Sequence, residues 1–187
     1  MTRIYIALAL AASALMRSVD IAHAIAGNLA FRDAGVAPVN AGVEHAWAAL
    51  YENGSIADRD TTAPAAGFYA SRLPGEDARG VPSLLVGDGP DRTSLPRIEV
   101  GEGFAVRYLI ERLCLAEGPA TPANCALVRS HSSAAPPSTD PAAPEPMAPI
   151  LRVSVRVDGP RGALVLAQAM FRDSVPPRRV AWRVLTE

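Results

Sequence analysis

Apolar and polar positions alternate cleanly in three stretches of the chain's second half. From Gly103 to Leu113, Phe104, Val106, Tyr108 and Ile110 fall on one side and Ala105, Arg107, Leu109 and Glu111 on the other, the two-residue period of a half-buried strand. Leu151, Val153, Val155 and Val157 alternate in the same way with Arg152, Ser154 and Arg156, and Val180, Trp182 and Val184 with Arg179, Ala181 and Arg183. Between the last two, Ala163 to Phe171 is apolar on both sides, as a central strand covered on both faces would be. Asp158-Gly159-Pro160-Arg161-Gly162 and Val175-Pro176-Pro177 supply the turns. The pattern predicts a four-stranded antiparallel meander in which Glu102 and Glu111 are charges on a strand surface.

The first half follows a different period. Val36, Val39, Val43, Trp47 and Leu50 recur at helical spacing and predict an amphipathic helix packed on that sheet. Gly35 and Pro38 predict a kink or break near residues 33–38, and Asn53-Gly54 a stop. Ahead of them an apolar run from Ile4 to Met16 is bracketed by Arg3 and Arg17. Alone it spans roughly 20 Å against a hydrocarbon core of about 30 Å, but Val19, Ile21 and Ile25 continue it. The preferred reading is a single-pass membrane anchor whose packing side chains are Ile4, Ile6, Leu8, Leu10, Leu15, Val19, Ile25 and Leu29. The alternative is a soluble periplasmic β-rich binding module released by cleavage after Ala24, at an Ala22-His23-Ala24 site. The expected division is a helical spine over 1–52 and a β-rich periplasmic head over 53–187. Residues 53–97 read as an irregular surface layer of turns, with only 67–71 and 83–86 ordered, and 130–149 as a disordered Pro/Ala-rich insertion.

Composition adds exclusions. A formal net charge of −1 over 187 residues gives no reason to expect nucleic acid as a partner. All 18 basic residues are arginine, which genome composition alone accounts for. His23, His45 and His131 have no metal-ligand spacing to another His, Cys or carboxylate, no nucleophile or phosphate-loop motif is present, and neither a cofactor nor enzymatic activity is expected. Cys114 and Cys125 are too far apart for a redox CxxC motif. In an exported head they would close a surface loop as a disulfide; in a reducing compartment they would be two buried thiols.

Several separated blocks resemble one family. Met16-Arg17-Ser18-Val19-Asp20, Ile25 to Arg32 and Ala41-Gly42-Val43-Glu44 are similar to the N-terminal helix of PilX-like type IV pilus assembly proteins, the minor pilins. Phe68-Tyr69-Ala70-Ser71, Val106 to Cys114 with Asn124-Cys125, and Arg152 to Arg161 with Gln168 resemble later parts of the same family. The resemblance implies a pilin-like α+β fold: a long N-terminal helix packed on a four-stranded antiparallel sheet. It implies an inner-membrane anchor with a periplasmic head oxidised at Cys114 and Cys125, in a Gram-negative bacterium, and a place in the pilus fibre or tip after assembly. The implied partners are other minor pilins, the major pilin, the inner-membrane assembly machinery and a large tip adhesin; the implied role is pilus initiation in support of adhesion and twitching motility. Prepilins of that family carry a basic leader ending in glycine and a glutamate at the fifth mature position; Met1 to Tyr5 has neither, so the anchor is expected to be incomplete at its N-terminal end.

Overall fold

The computed structural model describes residues 12–23, 26–27, 34–87, 90–101, 103–129 and 147–185. The chain divides into two compact units, Met1–Val36 and Ala37–Glu187. In the first, residues 12–23 form a helix, α1, in which every residue is exposed. Helix α2 spans Val36–Tyr51 and follows a turn at Gly35. Pro38 falls in its first turn, where a backbone N–H would have no intrahelical acceptor, so the proline is compatible with the helix start.

The second unit is built on a seven-stranded sheet of spatial order β1-β3-β5-β6-β7, with β2 also pairing β3 and β4 also pairing β5. The strands are β1 (Phe68–Tyr69), β2 (Arg97–Val100), β3 (Phe104–Arg112), β4 (Leu127–Arg129), β5 (Met147–Asp158), β6 (Leu164–Arg172) and β7 (Arg178–Leu185). All pairings are antiparallel except β1 with β3, which is parallel. A third helix, α3 (Ser83–Val86), is a single turn.

Register assigns the faces. Val106 pairs Val157, Tyr108 pairs Val155 and Ile110 pairs Val153; Val155 then pairs Ala167, and Leu151 pairs Phe171. This apolar face receives α2, which buries Val39, Gly42, Val43, Ala46, Ala49 and Leu50. Contact is closest at Gly42, where a Cβ would lie 2.7 Å from Val155 Cγ1 and 2.8 Å from Val106 Cγ1. Further along, the Trp47 ring meets Phe171 at 5.4 Å and Tyr51 at 4.7 Å between centroids. At the helix end, Tyr51 donates a hydrogen bond to Asp173 Oδ1 at 3.1 Å, and the Arg59 guanidinium donates to the carbonyls of Leu50 and Ile56. Arg59 therefore satisfies a carbonyl that the last turn of α2 leaves without an intrahelical partner. Burial and the neighbouring Asp173 push the Tyr51 hydroxyl pKa upward, so Tyr51 stays a donor at any physiological pH.

Three expectations are corrected. The pilin-like α+β arrangement of a long N-terminal helix on a four-stranded sheet is replaced by a mixed α/β structure with three short helices among the described residues and seven strands. The four stretches expected as strands do lie side by side as β3, β5, β6 and β7, but β1, β2 and β4 are two to four residues long, too short for alternation to be seen in the chain. The turn at Gly35 falls within residues 33–38, where a kink or break was expected. The single-pass transmembrane segment and the inner-membrane localisation are overturned because no helix among the described residues is long and apolar enough to cross a membrane. Twelve helical residues span about 18 Å, and α1 carries Arg17 and Asp20 within that length. Of the proposed anchor side chains, Leu15 and Val19 lie in α1, whereas Ile4, Ile6, Leu8, Leu10, Ile25 and Leu29 lie outside the described residues.

Gly42 sets the helix-to-sheet distance. Alanine is favoured over glycine inside a helix by about 1 kcal/mol, but at Gly42 its methyl would press on the stiff branches of two fully buried valines, and overpacking costs about 1–3 kcal/mol. Gly42→Ala is expected to lower stability in urea unfolding, and a further Val155→Ala to recover part of the loss. A Gly42→Ala protein more stable than the parent would contradict this packing.

Candidate functional site

The sheet's other face carries polar side chains in register. Glu111 lies directly opposite Arg152, Ser154 opposite Gln168 and Gln168 opposite Arg183. Residues 72–87 and 90–95 fold across this face and cover most of it. Val81, Leu85 and Leu95 pack with Leu109 and Leu166 of the sheet, and around that apolar patch the polar groups are buried: Glu111 at 0%, Ser154 at 0% and Gln168 at 2% exposure.

Each buried group has partners. Glu111 Oε1 accepts the Leu73 backbone N–H at 2.9 Å, while Oε2 accepts from Arg152 Nε at 3.0 Å and from an Arg152 terminal nitrogen at 2.7 Å. That same nitrogen reaches Glu76 Oε1 at 2.7 Å, and Glu76 in turn holds Arg72 through two hydrogen bonds. The Gly80 carbonyl accepts from Arg152 at 3.3 Å and from Gln168 at 2.7 Å. It is aimed there by a turn in which Asp77 Oδ1 takes the N–H groups of Arg79 and Val81 and Gly80 adopts φ +76°, a conformation that suits glycine. Burial pushes the Glu111 pKa up despite Arg152, while the Arg72 hydrogen bond first, and Arg152 second, hold Glu76 below the usual carboxylate range. Two guanidiniums and two carboxylates form one chain, Arg72–Glu76–Arg152–Glu111, with no net charge.

The chain of charges ends beside a disulfide. Cys114 and Cys125 are paired as a disulfide. The loop they close is pinned to the sheet: Leu113 N–H donates to Ile150 O, Ala126 N–H to Leu113 O, and Arg72 N–H to Cys114 O. From the end of β3, Arg112, only 1% exposed, donates to Ala70 O, Asp60 Oδ1 and Gly118 O, joining three loops. An open groove of about 250 Å³ lies between these features, lined by Arg72, Leu113, Cys114, Leu115, Ala126 and Arg152. Its two cations are already engaged by Glu76 and Glu111.

Of the residues assigned to helix-to-sheet packing, Val39, Val43 and Leu50 are buried, Trp47 is half-buried against Phe171 and Val36 is exposed. His23 and His45 are exposed, and His131 lies outside the described residues, as does most of the 130–149 insertion. No three His, Cys, Asp or Glu side chains among the described residues gather as a metal site. Sequence reasoning missed the buried network: Glu111 and Arg152 read as solvated charges, and residues 72–95 as a surface layer. The available signal was a run of polar side chains on one face of two long neighbouring strands.

Removing one partner of a buried ion pair costs about 3–5 kcal/mol, while replacing both by apolar groups is often close to neutral. Glu111→Ala is therefore expected to destabilise strongly, and Glu111→Leu with Arg152→Met much less, as read by urea unfolding. Additive losses in that comparison would mean the two side chains are not coupled. For the short loop between Cys114 and Cys125, replacing both cysteines with alanine is expected to cost about 3 kcal/mol on the chain-entropy estimate, measurable as a lower thermal midpoint than the oxidised parent.

Comparison with known proteins yields no matching family model, no matching curated protein and no matching solved structure.

Proposed function

We propose that this chain is a non-catalytic assembly subunit of a type IV pilus system, acting in the manner of a minor pilin. Its N-terminal helix packs against apolar helices of partner subunits, and its disulfide-closed sheet unit is the part presented outward. The observation that carries this reading is the surface of α1. Leu15 is 68% exposed, Met16 71%, Val19 52% and Ile21 61%, and apolar side chains left uncovered in this number favour a partner surface over water. The resemblance of Met16 to Asp20 and of Ala41 to Glu44 to the minor-pilin helix supports the nature of that partner: other minor pilins, the major pilin and the assembly machinery, with a tip adhesin beyond them. Short, branched and small side chains on such helices allow close side-by-side packing.

A second feature supports a scaffolding role over catalysis. The polar groups gathered on the second sheet face are consumed by one another and by backbone groups. They tie loops to the sheet, which is what a rigid presented unit requires.

Leu15→Arg combined with Val19→Arg would place two cations on α1 without touching the sheet unit. In the strain that encodes the chain, this variant is expected to lower the number of surface pili and the twitching zone to the level of a gene deletion. The purified variant should keep the parent's urea midpoint and its disulfide. Pilus numbers unchanged in both the variant and the deletion would overturn the assignment.

A further inference from the structure

We propose that the free edge of β7 is a docking site for an extended acidic segment of a partner protein, which adds to the sheet as a further strand.

β7 is the last strand of the sheet, paired on one side with β6 and on the other with nothing among the described residues. Alternate backbone N–H and C=O groups of such an edge point outward and can template another chain. Most of β7 is exposed, with Val180 at 53% and Trp182 at 38%. Trp182 pairs Ala169, and Val184 pairs Ala167, so both belong to the apolar face that α2 covers further along at Val155 and Val106. At β7 that face runs out from under the helix.

Charge selects the occupant. β7 reads Arg-Arg-Val-Ala-Trp-Arg-Val-Leu, with three arginines and no carboxylate. Arg178 and Arg179 are exposed and form no ion pair among the described residues, and Arg178 lies opposite a fourth arginine, Arg172. Arg183 donates to Gln168 Oε1 at 2.9 Å and is engaged by no carboxylate among the described residues. The chain's net charge is −1, so this cationic edge is a local concentration. A second copy is a poor occupant, because pairing β7 with itself would gather six guanidiniums on neighbouring strands. The chain's own 130–149 segment is a poor occupant as well: its repeated prolines cannot donate to a ladder. A foreign strand alternating carboxylate and apolar side chains meets both requirements, with an acid beside Arg183, apolar groups beside Trp182 and Val184, and a further acidic end reaching Arg178 and Arg179. The register shift between β6 and β7 at Met170/Phe171 leaves Ala181–Leu185 as a short regular ladder, and the exposed Arg178 and Arg179 add charge at its end, within reach of the same partner segment.

The inference does not depend on the pilus assignment and is tested separately. An eight-residue peptide alternating Glu and Val, labelled at one end, is titrated with the full chain at low salt and followed by fluorescence anisotropy. Binding is expected, with affinity falling as salt rises and dropping at least tenfold for Arg178→Glu with Arg179→Glu; both side chains are exposed, so the variant's unchanged urea midpoint controls for folding. A peptide N-methylated at alternate residues is expected to lose binding, because its backbone cannot extend the ladder. No binding of the parent peptide would overturn the proposal, as would equal binding of the N-methylated peptide, which would reduce the site to a charge patch. Binding of phosphatidylglycerol vesicles in the absence of peptide binding would overturn it in favour of a lipid surface.

Discussion

A carboxylate and a guanidinium stand directly opposite each other on β3 and β5, both almost completely removed from water. Glu111 is at 0% and Arg152 at 6% exposure. Charges so placed cost several kcal/mol each to desolvate, on the order of the whole stability of a small domain, unless every donor and acceptor is satisfied. The pair cannot do this alone, because the second Glu111 oxygen and the outer Arg152 nitrogens need partners. Those partners come from residues 72–80: the Leu73 N–H, the Glu76 carboxylate and the Gly80 carbonyl. The segment is therefore held to the sheet by polar demand as much as by Val81 and Leu85. Its apolar contacts exclude the water that would otherwise solvate the pair. Each half of the arrangement makes the other possible.

The two faces of the sheet solve the same problem in opposite ways. On the helix side the solution is shape: a glycine in the middle of α2 allows the backbone to settle onto Val106 and Val155, and a tilted aromatic group of Trp47, Tyr51 and Phe171 fills the wider end. Steric fit of this kind is unforgiving of added volume. On the other side the solution is hydrogen bonding through long, forked side chains, which fix loops lacking regular structure of their own. β5 and β6 take part in both, which is why each side of these strands is buried.

Long strands were legible in the chain and short ones were not. β3, β5 and β7 are each eight residues or longer and alternate over at least six of them, enough for a two-residue period to stand out in the chain. β1, β2 and β4 owe their pairing to neighbours: β1 exists because residues 68 and 69 are laid parallel to Ile110 and Glu111, a relation with no local signature. The helical period of α2 was equally plain, but Gly42 within it was readable only as a family likeness; its function as a spacer depends on Val155, more than a hundred residues away in the chain. Arg152 and Glu111 were invisible for the same physical reason. A charged residue on an alternating strand is normally a solvated one, and the layer formed by residues 72–87 and 90–95 reverses that expectation. The disulfide was legible as a possibility, and the structure pairs the two cysteines.

Arginine is the only strongly basic residue type in the chain, and composition alone attaches no meaning to that. Several of the positions do. Arg112 holds three separate loops through three nitrogens, Arg59 reaches two carbonyls at the end of α2 while lying 5.5 Å from the Tyr51 ring, and Arg152 binds two carboxylates and a carbonyl at once. A lysine at any of them offers one nitrogen at the end of a flexible stem and cannot reproduce a planar fork of donors. Whatever produced an all-arginine composition, the fold has come to use the geometry. The guanidinium fork takes the part that a larger apolar core would play in a chain so poor in aromatic residues, and it does so where irregular loops expose carbonyls that only a multidentate donor can collect.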